Sequence, residues 1–508
     1  MPRRAPTVGE RDPLRAVAAG LLNLSCLGLG YAVLRHWWSA AVCWLATGGL
    51  LFAALPAEPD GVPQAVLVAY GLFLLAVAVD GARRGLRTRL AVPAARARWV
   101  ALVAAFVLLA VPAAGAFAYG GAREEARQQE LLARLASLDA LVAQADDRDF
   151  DAAEHTYLRA LRGYAELGTE HAGSRAAKLV PDRLDAYYEA VSAPYKEGEY
   201  CDAIAPLRHL RAVPDTVDRR LLGDLVSRPD EPLAHAWREC GMAGLGRATA
   251  TREAGAHLKD LLTTFPRSEH ARQVEPAVRE RIRTRSAALS GASPCPVSDE
   301  LSRIRTTVAG LPDATARALR TDAEGAVRKG LYACGLDQFK DRKFSSAKRS
   351  MTRYAERYPS SANAARARQI AVAAEIAAKR PAAGRSLPPV TVPSGTRLTL
   401  VVTNDGPGAV DILYTGPVTG TASIKACAGC STYASRAAGR TSACKSPSRS
   451  YPTTTLRLPP GEYHFLYKHA RTAATAGFVR SYTDGAKIQS GYRYTMCLYV
   501  FRGAGLTF

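Results

Sequence analysis

The residues best placed to do chemistry in this chain are its cysteines, ten in 508 residues. Cys427-Ala-Gly-Cys430 forms a Cys-x-x-Cys set, and Cys444 and Cys497 follow it at longer range. A zinc centre built on such a pair needs a second close pair to complete its ligands, and the chain has none in this region. A dithiol redox centre usually sits at a helix N-terminus in a βαβ setting, which lowers the thiolate pKa. The Gly, Ser and Thr residues around Cys427 instead read as a loop. These four cysteines are therefore expected to form two structural disulfides, with their pairing open. Cys201 and Cys240 are 39 residues apart, and so are Cys295 and Cys334. A repeated separation points to one disulfide in each copy, and closing loops of that size contributes about 4 kcal/mol in the chain-entropy treatment. Cys26 and Cys43 lie in apolar runs and read as inert thiols.

Other catalytic patterns are missing. There is no phosphate-binding Gly-rich loop ending in Lys-Ser/Thr, no His-Glu-x-x-His and no Gly-x-Ser-x-Gly. Ser345-Ser-Ala-Lys348 matches Ser-x-x-Lys, but the companion Lys-Thr-Gly is absent and the match opens a repeat helix. His464 and His469 have no acidic partner by spacing, and Glu124–Glu125 reads as a solvated helix face. No catalytic, cofactor-binding or metal-ligating residue is assigned, and no cofactor is expected. The formal charge of +21 and pI near 9.7 imply attraction to polyanions. The expected partner is an anionic envelope polymer or an envelope protein. Nucleic acid is not expected, because zinc-finger spacing and RNA-recognition aromatics are lacking.

Behind these residues stands an apolar N-terminal quarter of the chain. Trp99–Tyr119 carries no charge, is long enough for a hydrocarbon core of about 30 Å, and follows six arginines between residues 83 and 98. Arginine-rich flanks stay cytoplasmic, so the chain is expected to leave the cytoplasm there. Three earlier runs, Ala16–Leu34, Ser39–Leu55 and Val62–Val79, are each about the length of a span. Four spans would put both termini outside, leaving Arg3, Arg4, Arg11 and Arg15 against the positive-inside bias. A cleaved signal peptide is a poor reading of the first run, since more apolar sequence follows it. The mean hydropathy of −0.08 fits an apolar end joined to a polar, Arg-rich remainder.

From Arg123 onward apolar residues recur at helical spacing, as in Leu131, Leu135 and Leu138. An internal repeat appears after each cysteine pair. Ala254, Leu258, Leu261, Leu262 and Phe265 lead into Pro266; Ala347, Met351, Tyr354, Ala355 and Tyr358 lead into Pro359. Each set makes one packing stripe, then a proline stop, then a serine able to cap the next helix. The segment YAERYPSSANAARARQIA at 354–371 resembles the second helix and turn of a tetratricopeptide-type unit, in the degenerate form of bacterial envelope assembly proteins. A weaker echo runs over 150–179. The regular repeat period and the Trp-Leu-Gly signature are absent. The resemblance implies stacked helical hairpins with a concave binding face; a plain helical spacer is the other reading.

Residues 380–394 are proline-rich and read as a linker. Beyond them about seven short alternating runs predict an antiparallel β-sandwich. The expected strands are Arg397–Thr403, Val410–Tyr414, Ala422–Ala426, Thr453–Leu458, Glu462–Lys468, Gly477–Tyr482 and Gly491–Phe501. Asn404-Asp-Gly-Pro407, Pro459-Pro-Gly461 and Asp484-Gly485 are turn signals. LRLPPGEYHFLY at 456–467 reads as a hairpin with Tyr463, Phe465 and Tyr467 on one face, packed into the core. By strand count the domain resembles immunoglobulin-like and fibronectin-like accessory modules of secreted bacterial proteins.

The expected fold is thus a membrane α-helical anchor of about four spans (1–120), an all-α helical-repeat region (121–379), a linker (380–394) and an all-β antiparallel sandwich (395–508). The expected location is the cell membrane, multi-pass, with the C-terminal region extracytoplasmic. The expected role is non-enzymatic binding of an envelope or cell-wall partner. The alternatives are a thiol-disulfide oxidoreductase using Cys427 and Cys430, or a membrane sensor.

Overall fold

The computed structural model describes residues 13–54, 64–87, 94–391, 393–470 and 481–502, and the chain forms two compact units. One comprises residues 1–198 and 205–230, the other 199–204 and 231–508.

In the first unit the N-terminal elements are α1 (Pro13–Asn23), α2 (Leu29–Val33), α3 (Trp37–Ala54) and α4 (Gln64–Gly85). They correct the four-span expectation and the multi-pass location that rested on it. Among the described residues one helix, Ala65–Gly85, is long and apolar enough to cross a membrane. The run Ala16–Leu34 is not one helix. Cys26 and Gly28 take left-handed backbone conformations (φ 65° and 58°), which end α1 after 11 residues and leave α2 with five. Buried Asn23 sits at the break, where its Oδ1 accepts the amide of Tyr31 (2.9 Å) and its Nδ2 donates to the Val77 carbonyl (3.3 Å). Of the run Ser39–Leu55, residues 39–54 fall in α3, whose apolar stretch Trp37–Phe52 is shorter than a span, and Leu55 lies outside the described residues. Trp99–Tyr119 is helical backbone within α5 (Ala94–Asp146), which runs unbroken through Gly120 and Gly121. The side chains of 99–102 and 104–116 lie outside the described residues.

The C-terminal part of α5 packs on α6 (Phe150–Glu170) and α7 (Arg175–Val191). Leu131, Leu135 and Leu138 are buried, at the helical spacing that the sequence carries. Ser174 caps α7, its Oγ accepting the Ala177 amide at 3.0 Å. Glu125 forms a bidentate pair with Arg175 (2.9 and 2.8 Å), so it ties α5 to α7 rather than standing free in solvent.

The second unit opens with an all-helical region of pairwise-packed helices. In copy one of the repeat the helix Thr251–Thr264 buries Ala254, Leu258 and Leu261. In copy two the helix Phe344–Arg357 buries Ala347, Met351, Tyr354 and Ala355. Ser268 caps Glu269–Ala287 by accepting the Ala271 amide at 3.1 Å. The helix Ala364–Ala377 has no side-chain cap; Ser361 instead bonds the Tyr354 hydroxyl at 2.7 Å. Disulfides join Cys201 to Cys240, and Cys295 to Cys334 across the helices Pro294–Ala309 and Asp313–Lys340.

Seven strands follow: β1 (Leu398–Asp405), β2 (Val410–Thr415), β3 (Gly420–Ile424), β4 (Thr453–Leu458), β5 (Gly461–His469), β6 (Ser481–Ile488) and β7 (Tyr494–Tyr499). They form two sheets, β4-β1-β7 and β3-β2-β5-β6. Leu400, Val402, Leu456 and Leu498 from one sheet and Ile412, Tyr463, Phe465 and Tyr467 from the other share one core. Three expectations are corrected. The sheets are not wholly antiparallel, because β1 pairs with β7 in parallel. Pro459-Pro460-Gly461 does not close a hairpin: β4 and β5 belong to different sheets, and Gly461 (φ 147°) carries the chain between them. Asp484-Gly485 is no turn but lies within β6, opposite Phe465 and His464. Of the expected strand Gly477–Tyr482, residues 477–480 lie outside the described residues.

The β3-β2-β5-β6 sheet is apolar on both faces. Ile412 points into the shared core, while its neighbour Leu413 and cross-strand partner Leu466 point outward onto Ile370, Ala374 and Ala377 of the helix Ala364–Ala377. Residues 381–384 of the proline-rich segment form a 3₁₀ turn whose Ala383 joins the same cluster.

Candidate functional site

A group of buried polar side chains lies where β1 ends. Asn404 is fully buried, and its Nδ2 donates to the carbonyls of Gly408 (2.9 Å) and Lys425 (2.8 Å). These bonds hold the loop to β2 against the segment leading into Cys427, whose amide donates to the Gly406 carbonyl at 3.0 Å. Asp405 is 1% exposed. Its Oδ2 accepts the Tyr433 hydroxyl and the Cys444 amide, both at 2.7 Å. Its Oδ1 makes no hydrogen bond among the described residues; the nearest cation is Arg449, with Nη1 at 4.0 Å. Burial, and then the bond to Asp405, push the Tyr433 phenol well above its ordinary pKa.

Cys427 is bridged to Cys430 and Cys444 to Cys497, which settles the pairing that the sequence leaves open. Both sulfurs of the first bridge and a carboxylate oxygen of Asp405 lie within 4.8 Å of one another, all on buried residues. While the bridge is closed its sulfurs are not thiolates and ligate no cation. With Cys427 2% and Cys430 7% exposed, a protein dithiol has little access, which opposes the oxidoreductase reading. Sequence reasoning missed Asp405, which registers there only as a turn residue. Its buried pairing with the cysteine loop is made by tertiary contact, and the one sequence-level signal is an Asn-Asp pair closing a strand.

His469 ends β5 nearby and is 5% exposed. Neither ring nitrogen has a hydrogen-bond partner among the described residues, and its ring stacks on Tyr482 at 6.2 Å. Burial lowers its pKa to about 4, so it is neutral at pH 7. His464 instead contacts Arg380, its Nδ1 lying 3.1 Å from Nε.

A second feature is a cleft of about 390 Å³ between the helices Phe344–Arg357 and Ala364–Ala377 and β3, lined by Lys348, Thr352, Glu356, Arg368, Glu375 and Thr421 among others. Glu375 is clamped by Lys348 (2.9 Å) and Lys468 (3.0 Å). Burial raises its carboxyl, but the hydrogen bonds from the two lysines outweigh that and hold the pKa below the usual carboxylate value. Lys348 is thus committed to an ion pair, and Ser345, exposed at the start of its helix, has no activated partner there. Arg353 and Arg368 are exposed and have no ion pair among the described residues. Among the described residues Arg349 bonds only the Ser346 hydroxyl, at 3.0 Å.

No protein-family model matches the chain, and no curated protein or solved structure matches it either. The class of molecule is set by the architecture alone: disulfide-braced packed helices joined to a disulfide-braced two-sheet domain, with features that suit a structural or binding role.

Proposed function

We propose that this chain is a non-catalytic binding protein whose helical hairpin Phe344–Ala377 takes an anionic polymer of the cell envelope. The observation that carries the reading is a set of exposed arginines on the two helices that form the cleft, of which Arg368 lines it. Arg353 and Arg368 expose guanidinium groups with no carboxylate partner among the described residues, and Arg349 lies one helical turn before Arg353. Glu375 offsets one of its two lysines, and Arg349, Arg353 and Arg368 outweigh the other lining carboxylate, Glu356, so the charge around the cleft is net positive. Guanidinium groups bind phosphate and carboxylate oxygens bidentately, which favours a chain of repeated anionic groups. The likeness of 354–371 to a tetratricopeptide-type turn supports a hairpin surface used for binding. The overall excess of +21 adds long-range attraction. A rigid seat also suits such a role, because the hairpin is packed on the β domain through Leu413 and Leu466.

The test measures binding of the full chain to linear polyphosphate and to polyglutamate across a salt series. Binding should weaken steeply with salt. The triple variant Arg349→Gln, Arg353→Gln, Arg368→Gln should lose about tenfold or more in affinity and show a flatter salt dependence. Arg283→Gln, which removes a guanidinium already paired with Glu280 at 2.7 Å, should change little. A triple variant that binds both polymers as the parent does sinks the proposal.

A further inference from the structure

We propose that the Cys427–Cys430 bridge gates a cation site: when a small dithiol opens it, the two sulfurs and the Asp405 carboxylate bind a thiophilic divalent cation of the zinc class. The inference stands apart from the anionic-polymer reading and uses none of its residues.

Three observations carry it. The donor atoms of Asp405, Cys427 and Cys430 lie within 4.8 Å of one another. Two sulfurs and one oxygen on a tetrahedral zinc ion stand about 3 to 4 Å apart, given Zn–S near 2.3 Å and Zn–O near 2.0 Å. Opening the bridge therefore requires the sulfurs to separate by only an ångström or two. They sit on a short turn containing Gly429, whose left-handed backbone (φ 76°) no larger residue adopts readily.

The second observation is the unpartnered oxygen. Asp405 is almost wholly buried, yet Oδ1 has no hydrogen bond among the described residues and only a distant guanidinium. A buried carboxylate oxygen without a donor is costly. A cation would satisfy it. The third is the support behind the ligand. The Tyr433 hydroxyl and Cys444 amide fix Oδ2, and the Cys444–Cys497 bridge fixes Cys444, so the carboxylate is oriented as outer-shell partners orient a metal ligand. Three protein ligands leave a fourth position for water.

The chemistry balances in two steps. The dithiol attacks one sulfur and resolves the mixed disulfide. It is oxidised to its own disulfide, and its two electrons and two protons leave Cys427 and Cys430 as thiols. The divalent cation then displaces both thiol protons to solvent. Two thiolates, one carboxylate and the cation carry one net negative charge, which the Arg449 guanidinium faces. The burial of both sulfurs selects a small reductant over a protein one.

The experiment uses the full chain and Co²⁺, whose bonds to thiolate give a near-ultraviolet charge-transfer band. Alkylation and mass spectrometry identify which bridge a limiting dithiol has opened. The oxidised chain should show no thiolate band. After selective opening of Cys427–Cys430, one equivalent of Co²⁺ should produce it, and Zn²⁺ should displace it. Cys427→Ser and Cys430→Ser should each abolish the band. Asp405→Asn should weaken binding about tenfold or more, provided near-ultraviolet dichroism shows that it folds. The double variant Cys444→Ser, Cys497→Ser should keep the band if its fold is retained. The proposal is overturned if the opened chain binds no Co²⁺, if either Cys427 or Cys430 is dispensable, or if this bridge opens only on global unfolding.

Discussion

His469 makes the β domain acid-sensitive in a way that can be separated from every other group. Its ring is buried, stacks on Tyr482 and has no partner for either nitrogen among the described residues. Burial lowers its pKa from 6.5 to about 4. In the unfolded chain it titrates near 6.5, so between that pH and about 4 the unfolded state binds the extra proton. Stability therefore rises with pH across this window and falls as acid is added. Each unit is worth about 1.4 kcal/mol, and the whole window about 3 kcal/mol. The comparison is between the parent chain and His469→Phe, which keeps an aromatic ring against Tyr482. At pH 7 the variant should cost little, since the neutral ring leaves its nitrogens unbonded anyway. Hydrogen exchange read on peptides from β2 and β5, corrected for the intrinsic rate, reports opening of this sheet alone. Going from pH 7 to 4, protection in the parent should fall by roughly two orders of magnitude more than in the variant. Parallel profiles for the two chains would refute the reasoning, because every other titrating group is common to both.

Three further outcomes follow from the packing. Leu466→Ala, at the seam between β5 and the helix Ala364–Ala377, should destabilise the second unit by about 3 kcal/mol and speed proteolysis within residues 385–397. Removing the Cys295–Cys334 bridge by Cys295→Ala with Cys334→Ala should cost up to about 4 kcal/mol and lower the melting temperature, with exchange rising first in the helices it joins. Replacing Lys348 and Lys468 together by Met leaves the half-buried Glu375 carboxylate unpaired. Because the folded pKa of Glu375 is depressed, its contribution is present above the ordinary value of 4.5 and is lost as pH falls through the lower folded value. With both lysines partly exposed the loss should be modest, about 1 kcal/mol at pH 7 in a chemical melt, and should shrink as pH falls below 4.5.

Much of the local structure was legible because it depends on local periodicity. The stripe Ala347, Met351, Tyr354, Ala355 lies on one helical face in the sequence and on one buried face in the structure. The row Tyr463, Phe465, Tyr467 likewise alternates into the core. The repeated separation of the two cysteine pairs showed which residues must meet. What could not be read depends on conformations that composition hides. A run of apolar residues says nothing about left-handed turns at Cys26 and Gly28, so the first apolar run looked like a span and is two short helices. Pro-Pro-Gly marks a reversal but not whether the chain returns to its own sheet, and here it crosses to the other. Asp405 was invisible for a related reason. Its role comes from Tyr433, Cys444 and the Cys427 loop, which only the folded chain brings together.

The same reasoning explains why the helices and the β3-β2-β5-β6 sheet belong to one compact unit. A sheet with one polar face needs no cover, but β2 and β5 carry Leu413 and Leu466 on the face opposite Ile412 and Phe465. Burying both faces requires a second layer, and the helix Ala364–Ala377 meets that need with Ala367, Ile370, Ala374 and Ala377. Small residues let it approach closely. Glu375, on the same helix, then reaches Lys468 of β5 and Lys348 of the preceding helix. The cleft lined by Arg368 is left where this helix parts from its partner beside β3, so its shape is set by the seam. A change that loosens the seam should alter polymer binding even when every arginine is retained. Leu466→Ala is therefore expected to weaken binding to polyphosphate without changing the protein's charge, and unchanged binding would show that the cleft does not depend on the sheet.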